Sequence, residues 1–214
     1  MPHDESIVGL EDLSEFDIAW PSHSDTLRPS KSPNGNLVPF DSDRGGDYKR
    51  IEGYRLGAIE LARAIKDGGR NEEPLVFPFI HCWRHHLELQ LKILVTDSAN
   101  LYADALPDDL TGTHSLAKIW GYAKPYILRT FSNDSSADTR VPDRIIAQFS
   151  QIDPDGVAPR YARTVTGRPT VRRELWIEIE PFHTSMLNLS SYLTGAIEGT
   201  AWLHDAQPTL DELI

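Results

Sequence analysis

The segment Phe77–Leu94, FPFIHCWRHHLELQLKIL, sets His81, Arg84, His85, His86, Glu88 and Lys92 among large apolar residues. Projected on a helix at about 100° per residue, His81, His85, Glu88 and Lys92 fall in one strip, with Arg84 at its edge. These residue types allow three kinds of chemistry. One is a satisfied polar network, in which Glu88 bridges Arg84 or Lys92 and the histidines are hydrogen-bonded. A second is a cleft where His85 or His81 moves a proton while Arg84 and Lys92 hold an anion. The third is a metal site: His81 and His85, one turn apart, suit two ligands on one helical face, with Glu88 as a third. Such histidine pairs are also common by chance.

The strip needs a helix to carry it. Ile80, Trp83, Leu87, Leu91 and Leu94 form one apolar face of that helix, and Cys82, Leu89 and Ile93 form a second. A helix apolar on two sides belongs in the middle of its neighbours. Charge on it must be paired, or solvated in a shared groove, because isolated buried charge is very costly. Periodicity predicts this helix from Leu75 to about Asp104, beginning near Pro74, with Pro78 in its first turn. Before it, YKRIEGYRLGAIELARAIKDGG predicts a helix stopped at Gly68-Gly69. After it come HSLAKIWGYAKPYILRTF, kinked before Pro125, a shorter helix over Thr139–Ile152, and IEPFHTSMLNLSSYLTGAIEG, stopped at Gly199. The expected fold is all-α, an antiparallel up-and-down bundle of four or five helices over residues 47–199. An extended arm rich in Pro, Ser, Asp and Gly occupies 1–46, with Phe16–Trp20 as a segment that could dock on the body, and an acidic tail occupies 200–214.

Charge placement narrows the function. The net charge is −11, and the two ends carry it: residues 1–27 hold seven acids and residues 198–214 four, with no Lys or Arg in either. An acidic chain is a poor non-specific nucleic-acid binder. The ends could aid solubility or compete for a basic patch. No apolar run approaches the ~18 residues of a membrane span, no secretory signal is evident, and Cys82 is the only cysteine. A cytoplasmic protein without disulfides or membrane contact is expected.

The stretch PRYARTVTGRPTVRR holds Arg160, Arg163, Arg168, Arg172 and Arg173, with no acid between Asp155 and Glu174. Its alternation of Thr and Val around Gly-Arg-Pro suggests a short hairpin. Its guanidiniums could bind phosphates and Tyr161 could stack a base, or the loop could simply be solvated. His183, just after Pro181, is more often a packing or hydrogen-bonding residue than a reactive one. Leu175, Trp176, Ile177 and Ile179 suit a core or an interface. No nucleophile elbow, phosphate loop, dinucleotide fingerprint or cysteine-based zinc motif occurs.

The pairs Leu87-Glu88 and Leu91-Lys92, followed by His114-Ser115-Leu116 at the opening of the next helix and by Arg160-Tyr161 in a later loop, resemble the HEPN superfamily. These are small all-helical domains that include ribonucleases, toxins of toxin–antitoxin pairs and partners of nucleotidyltransferases. The resemblance spans roughly residues 50–198. It implies RNA or nucleotide binding or cleavage, a toxin–antitoxin or phage-defence (antiviral) setting with a protein partner, a homodimer and no cofactor. Taken with the strip and the arginine loop, it gives Arg84, His85, Glu88 and His114 as the expected catalytic set, and Lys92, Arg160, Tyr161, Arg163 and Arg168 as the expected RNA or anion contacts. One departure is plain: nuclease members carry Arg, four to six residues, then His, and no arginine here has that spacing. The alternatives are a non-catalytic helical interaction protein and a metal-dependent helical-bundle hydrolase using His81 and His85.

Overall fold

A computed structural model describes residues 21–23, 45–68, 72–132, 138–171 and 175–207. Most of the expected arm, with its Phe16–Trp20 segment, the last seven residues of the acidic tail, and Arg172 and Arg173 lie outside the described residues. The described residues form five helices: α1 (Gly46–Lys66), α2 (Glu72–Tyr102), α3 (Leu116–Thr130), α4 (Arg140–Ile152) and α5 (Ile179–Asp205). Among the described residues there is no strand. The hairpin expected after α4 reduces to a single antiparallel bridge between Arg163 and Pro169. The chain is an all-α helical bundle, and no helix among the described residues is long and apolar enough to cross a membrane.

Helix α2 touches α1, α3 and α5, the central position that its two apolar faces require. Its main face is fully buried: Trp83, Leu87 and Leu91 have no exposure, and Leu94 has 1%. They pack with Ala58 and Ala62 of α1, Ile119 and Ile127 of α3, Ile146 and Phe149 of α4, and Leu189 and Leu193 of α5. The alanines on α1 keep that helix close. A Cβ added to the neighbouring Gly57 would meet Cys82 Sγ at 3.5 Å, an ordinary contact.

Two boundaries differ from expectation. Helix α2 begins at Glu72, so Pro78 sits past the first turn and the carbonyl of Pro74 loses its helical donor. Helix α5 does not stop at Gly199 but runs to Asp205, which moves the end of the bundle past residue 199. The reason for that glycine is packing. A Cβ there would lie 2.5 Å from Cζ of Phe131, the residue that caps α3.

Candidate functional site

The strip on α2 splits into two halves that face different neighbours. His81 and His85 stack on each other, with ring centroids 5.9 Å apart and planes at 18°. Tyr54 of α1 meets the His85 ring edge-on at 4.4 Å. Burial pushes both imidazoles below the ordinary histidine value; Arg160 adds to this at His81, and the carboxylates of Asp153 near His81 and Glu88 near His85 oppose it without reversing it. His81 Nδ1 is buried without a hydrogen-bond partner. The pair packs as an aromatic unit against α1 and favours neutral rings.

The other half, Arg84, Glu88 and Lys92, faces the start of α3 and the loop after α4. Arg84 is 1% exposed and Glu88 4%. Arg84 Nη1 donates to Glu88 Oε2 at 3.4 Å. Its Nη2 donates to the carbonyl of His114. Its Nε lies 3.5 Å from Asp153 Oδ2. Glu88 Oε1 accepts from Lys92 Nζ and from His114 Nδ1, each at 2.9 Å. Lys92 Nζ also donates to the carbonyl of Thr111 at 3.2 Å. Burial alone would raise the Glu88 carboxyl, but the donors Lys92 and His114 outweigh it and hold the group below its ordinary value. Two cations face two carboxylates, Glu88 and Asp153, so the cluster neutralises itself.

This network positions chain segments. His114 immediately precedes Ser115, whose hydroxyl caps α3 by accepting from the Lys118 N–H. Arg84, Glu88 and Lys92 therefore clamp the 111–115 turn and fix where α3 begins. Asp153 does the same after α4: its Oδ1 accepts from the N–H groups of Val157 and Ala158 at 2.9 and 3.1 Å. Gly156, at φ 70°, comes so near the guanidinium that an added Cβ would lie 3.5 Å from Arg84 Nη2. The left-handed backbone there favours glycine.

Of the expected catalytic set, Arg84, Glu88 and His114 come together, and His85 stands apart against Tyr54. The expected shared groove is not seen along the strip: Arg84 and Glu88 are covered, and every guanidinium nitrogen faces a protein group rather than an approaching anion. Lys92 is likewise turned to Glu88 and Thr111. Glu88 is engaged away from His81 and His85, and among the described residues no three His, Cys, Asp or Glu side chains are grouped to hold a metal ion. His183 behaves as its position suggests: its Nδ1 accepts from Trp83 Nε1 at 3.2 Å, which requires the neutral ring.

Two residues that sequence reasoning passed over matter more. His86 is 1% exposed and ties three helices. Its Nδ1 donates to the carbonyl of Ile51 at 2.9 Å, and its Nε2 pairs with Ser190 Oγ at 2.7 Å. Its spacing from Trp83 and Gln90, on the buried face, was the available signal. Asp153 opens an Asp-Pro-Asp-Gly stretch, a turn signature that marks a carboxylate bound to the following N–H groups.

The open surface lies beside the network. A cleft of about 590 Å³ is lined by Val76, Phe77, Ile80, Ile152, Leu175 and Ile177, among others, and by Asp153 and Ala158. A second cleft runs on across Ala158 to Arg160, Tyr161 and Val171. Phe77, Leu175 and Trp176 stand 48%, 52% and 87% exposed at this edge. Neither cleft is lined by His81, Arg84, His85, Glu88 or His114.

Comparison with protein-family models, with curated proteins and with solved structures finds no match to this chain. The site therefore stands on its own geometry. Arg160, Tyr161, Arg163 and Arg168 are all exposed. The Arg160 guanidinium lies 5.4 Å from the Tyr161 ring centroid.

Proposed function

We propose that this chain is a non-catalytic interaction protein that takes a stretch of partner polypeptide in the apolar cleft floored by Ala158. The observation that carries it is the cleft itself. Its walls are aliphatic and aromatic, and Trp176 stands 87% exposed beside it. Exposed apolar surface of that kind, gathered in a concavity, marks a binding site. The ionisable strip supplies no competing open site. It fixes the 153–158 loop that floors the cleft, so the same residues serve recognition by shaping its wall.

The test is a selection of peptides from a random display library on the full chain, repeated on Leu175→Glu and Trp176→Glu. Both positions are exposed, so both variants should melt with the parent. Peptides that bind the parent and lose both variants support the proposal. Peptides that bind all three alike, or none at all, count against it.

A second reading, RNA binding of the HEPN-like kind, is favoured by one observation: Tyr161 is exposed with Arg160 against it, an arrangement suited to stacking a base. It would use Arg160, Tyr161, Arg163 and Arg168 and leave the aliphatic cleft without a role.

A further inference from the structure

We infer that the polypeptide segment seated in this cleft is acidic, with bulky apolar anchors flanked by Asp or Glu that meet Arg160, Arg163 and Arg168. The inference rests on the docking proposal above and adds the chemistry of the partner. The apolar half of the match comes from Val76, Phe77, Ile152, Leu175 and Ile177, which accept side chains such as Leu, Ile or Phe. The charged half comes from the loop that borders it. Arg160 lines the adjoining cleft, and Arg168 lines a further one that shares Asp153, Ala158, Val171 and Leu175 with the main cleft.

The guanidiniums of Arg160 and Arg163 are held in place without being neutralised. Arg160 Nε donates to the carbonyl of Gly156 at 2.8 Å, and Arg163 Nη1 to that of Gly167 at 2.9 Å. Both acceptors are backbone carbonyls. Among the described residues no carboxylate is paired with Arg160, Arg163 or Arg168. Asp153, the nearest buried acid, is turned inward to Arg84 and to the N–H groups of Val157 and Ala158. Glu73 is the outward acid of the main cleft, and Asp155 shares the further cleft with Arg168, so the positive charge of Arg160, Arg163 and Arg168 sits at the border of the main cleft and not in its lining. Between Asp155 and Glu174 the sequence holds five arginines and no acid.

An acidic peptide fits both halves, and a polynucleotide fits one. Nucleic acid presents a charge at every residue to a chain of net charge −11, and it has no aliphatic side chains for the cleft. A peptide with a few carboxylates meets the local arginines at short range, while more distant charges are screened beyond about 8 Å at physiological salt. Rim charges of this sort choose the partner more than they set total affinity.

The experiment is the same display selection of random 15-residue peptides, read by sequencing and run on the full parent chain and on the triple variant Arg160→Glu/Arg163→Glu/Arg168→Glu. All three side chains are exposed, and an unchanged melting curve verifies that the variant is folded. The parent should enrich Asp and Glu beside Leu, Ile, Phe or Trp, and the variant should enrich Lys and Arg instead. A synthetic peptide from the parent pool should bind the variant about tenfold or more weakly. Cleft-dependent peptides with no acidic bias would overturn this inference and leave the docking proposal standing. A failure to enrich any cleft-dependent peptide would overturn both. Binding of a 20-nucleotide polyuridylate to the parent, lost in the triple variant, with no peptide enriched, would assign the arginines to RNA.

Discussion

Arg84 of α2 and Asp153 at the end of α4 meet at 3.5 Å, each about 1% exposed, far from each other in sequence. One oxygen of Asp153 faces the arginine, and the other gathers the N–H groups of Val157 and Ala158. The central helix thus reaches through a buried ion pair to the floor of the surface cleft. Buried pairs contribute modest net stability, but leaving one partner alone is expensive.

Arg84→Ala should therefore cost about 3–5 kcal/mol, because Asp153 loses its buried cation and Glu88 keeps only Lys92. Arg84→Lys should recover only part of this, since an ammonium lacks the planar fork that reaches Glu88, His114 and Asp153 together. Urea unfolding midpoints measure both. An Arg84→Ala variant as stable as the parent would mean that the arginine is not held as described.

Stability should fall in two steps as the solution is acidified. Burial holds His81, His85, His86 and His183 below the ordinary 6.5, so the unfolded chain takes up protons first. Their contribution is complete above about pH 6.5 and is lost below it, by up to about 1.4 kcal/mol per pH unit for each histidine. Glu88, held below 4.5, adds a second loss as pH falls past that value. His86→Gln should flatten the first step. Unfolding midpoints that stay level from pH 7 to pH 5 would contradict this.

Glycines on α5 should separate by sign. An alanine Cβ at Gly195 meets nothing within 4 Å. Gly195→Ala should gain about 0.5–1 kcal/mol from helix propensity. At Gly199 the added Cβ collides with the Phe131 ring, so Gly199→Ala should lose that gain or more. Phe131→Ala in the same chain should restore part of it. Thermal melts of the four proteins decide it.

Much of this architecture was legible from residue spacing, and the reasons are local. The face Ile80, Trp83, Leu87, Leu91 and Leu94 repeats at helical intervals, and all five residues are buried. The two apolar sides of α2 announced a central helix. What spacing could not reveal was depth: it placed Arg84, Glu88 and Lys92 on a strip but not beneath the 111–115 turn, because that turn is brought there by tertiary contacts. Asp153 as the partner of Arg84 was invisible for the same reason. Gly199 looked like a helix stop because a glycine needed for a close ring contact has the same one-letter signature. The apolar run Leu175–Ile179 was recognisable as core or interface, but only the fold leaves Leu175 and Trp176 in the open.

Trp176→Ala should change stability by no more than about 0.5 kcal/mol, as expected for a largely exposed side chain. The same change should weaken binding of a cleft-selected peptide by about tenfold or more, since aromatic residues dominate interface energetics. Equal peptide affinity in parent and variant would remove Trp176 from the surface of contact.

The central claim is that the ionisable strip on α2 holds the fold and that the neighbouring cleft does the work. Its most direct measurement compares Arg84→Ala and His85→Ala with the parent for RNA cleavage and for thermal unfolding together. The account predicts no cleavage by the parent and a large loss of stability in Arg84→Ala. A parent that cleaves RNA, with an Arg84→Ala variant that melts normally but is inactive, would contradict it.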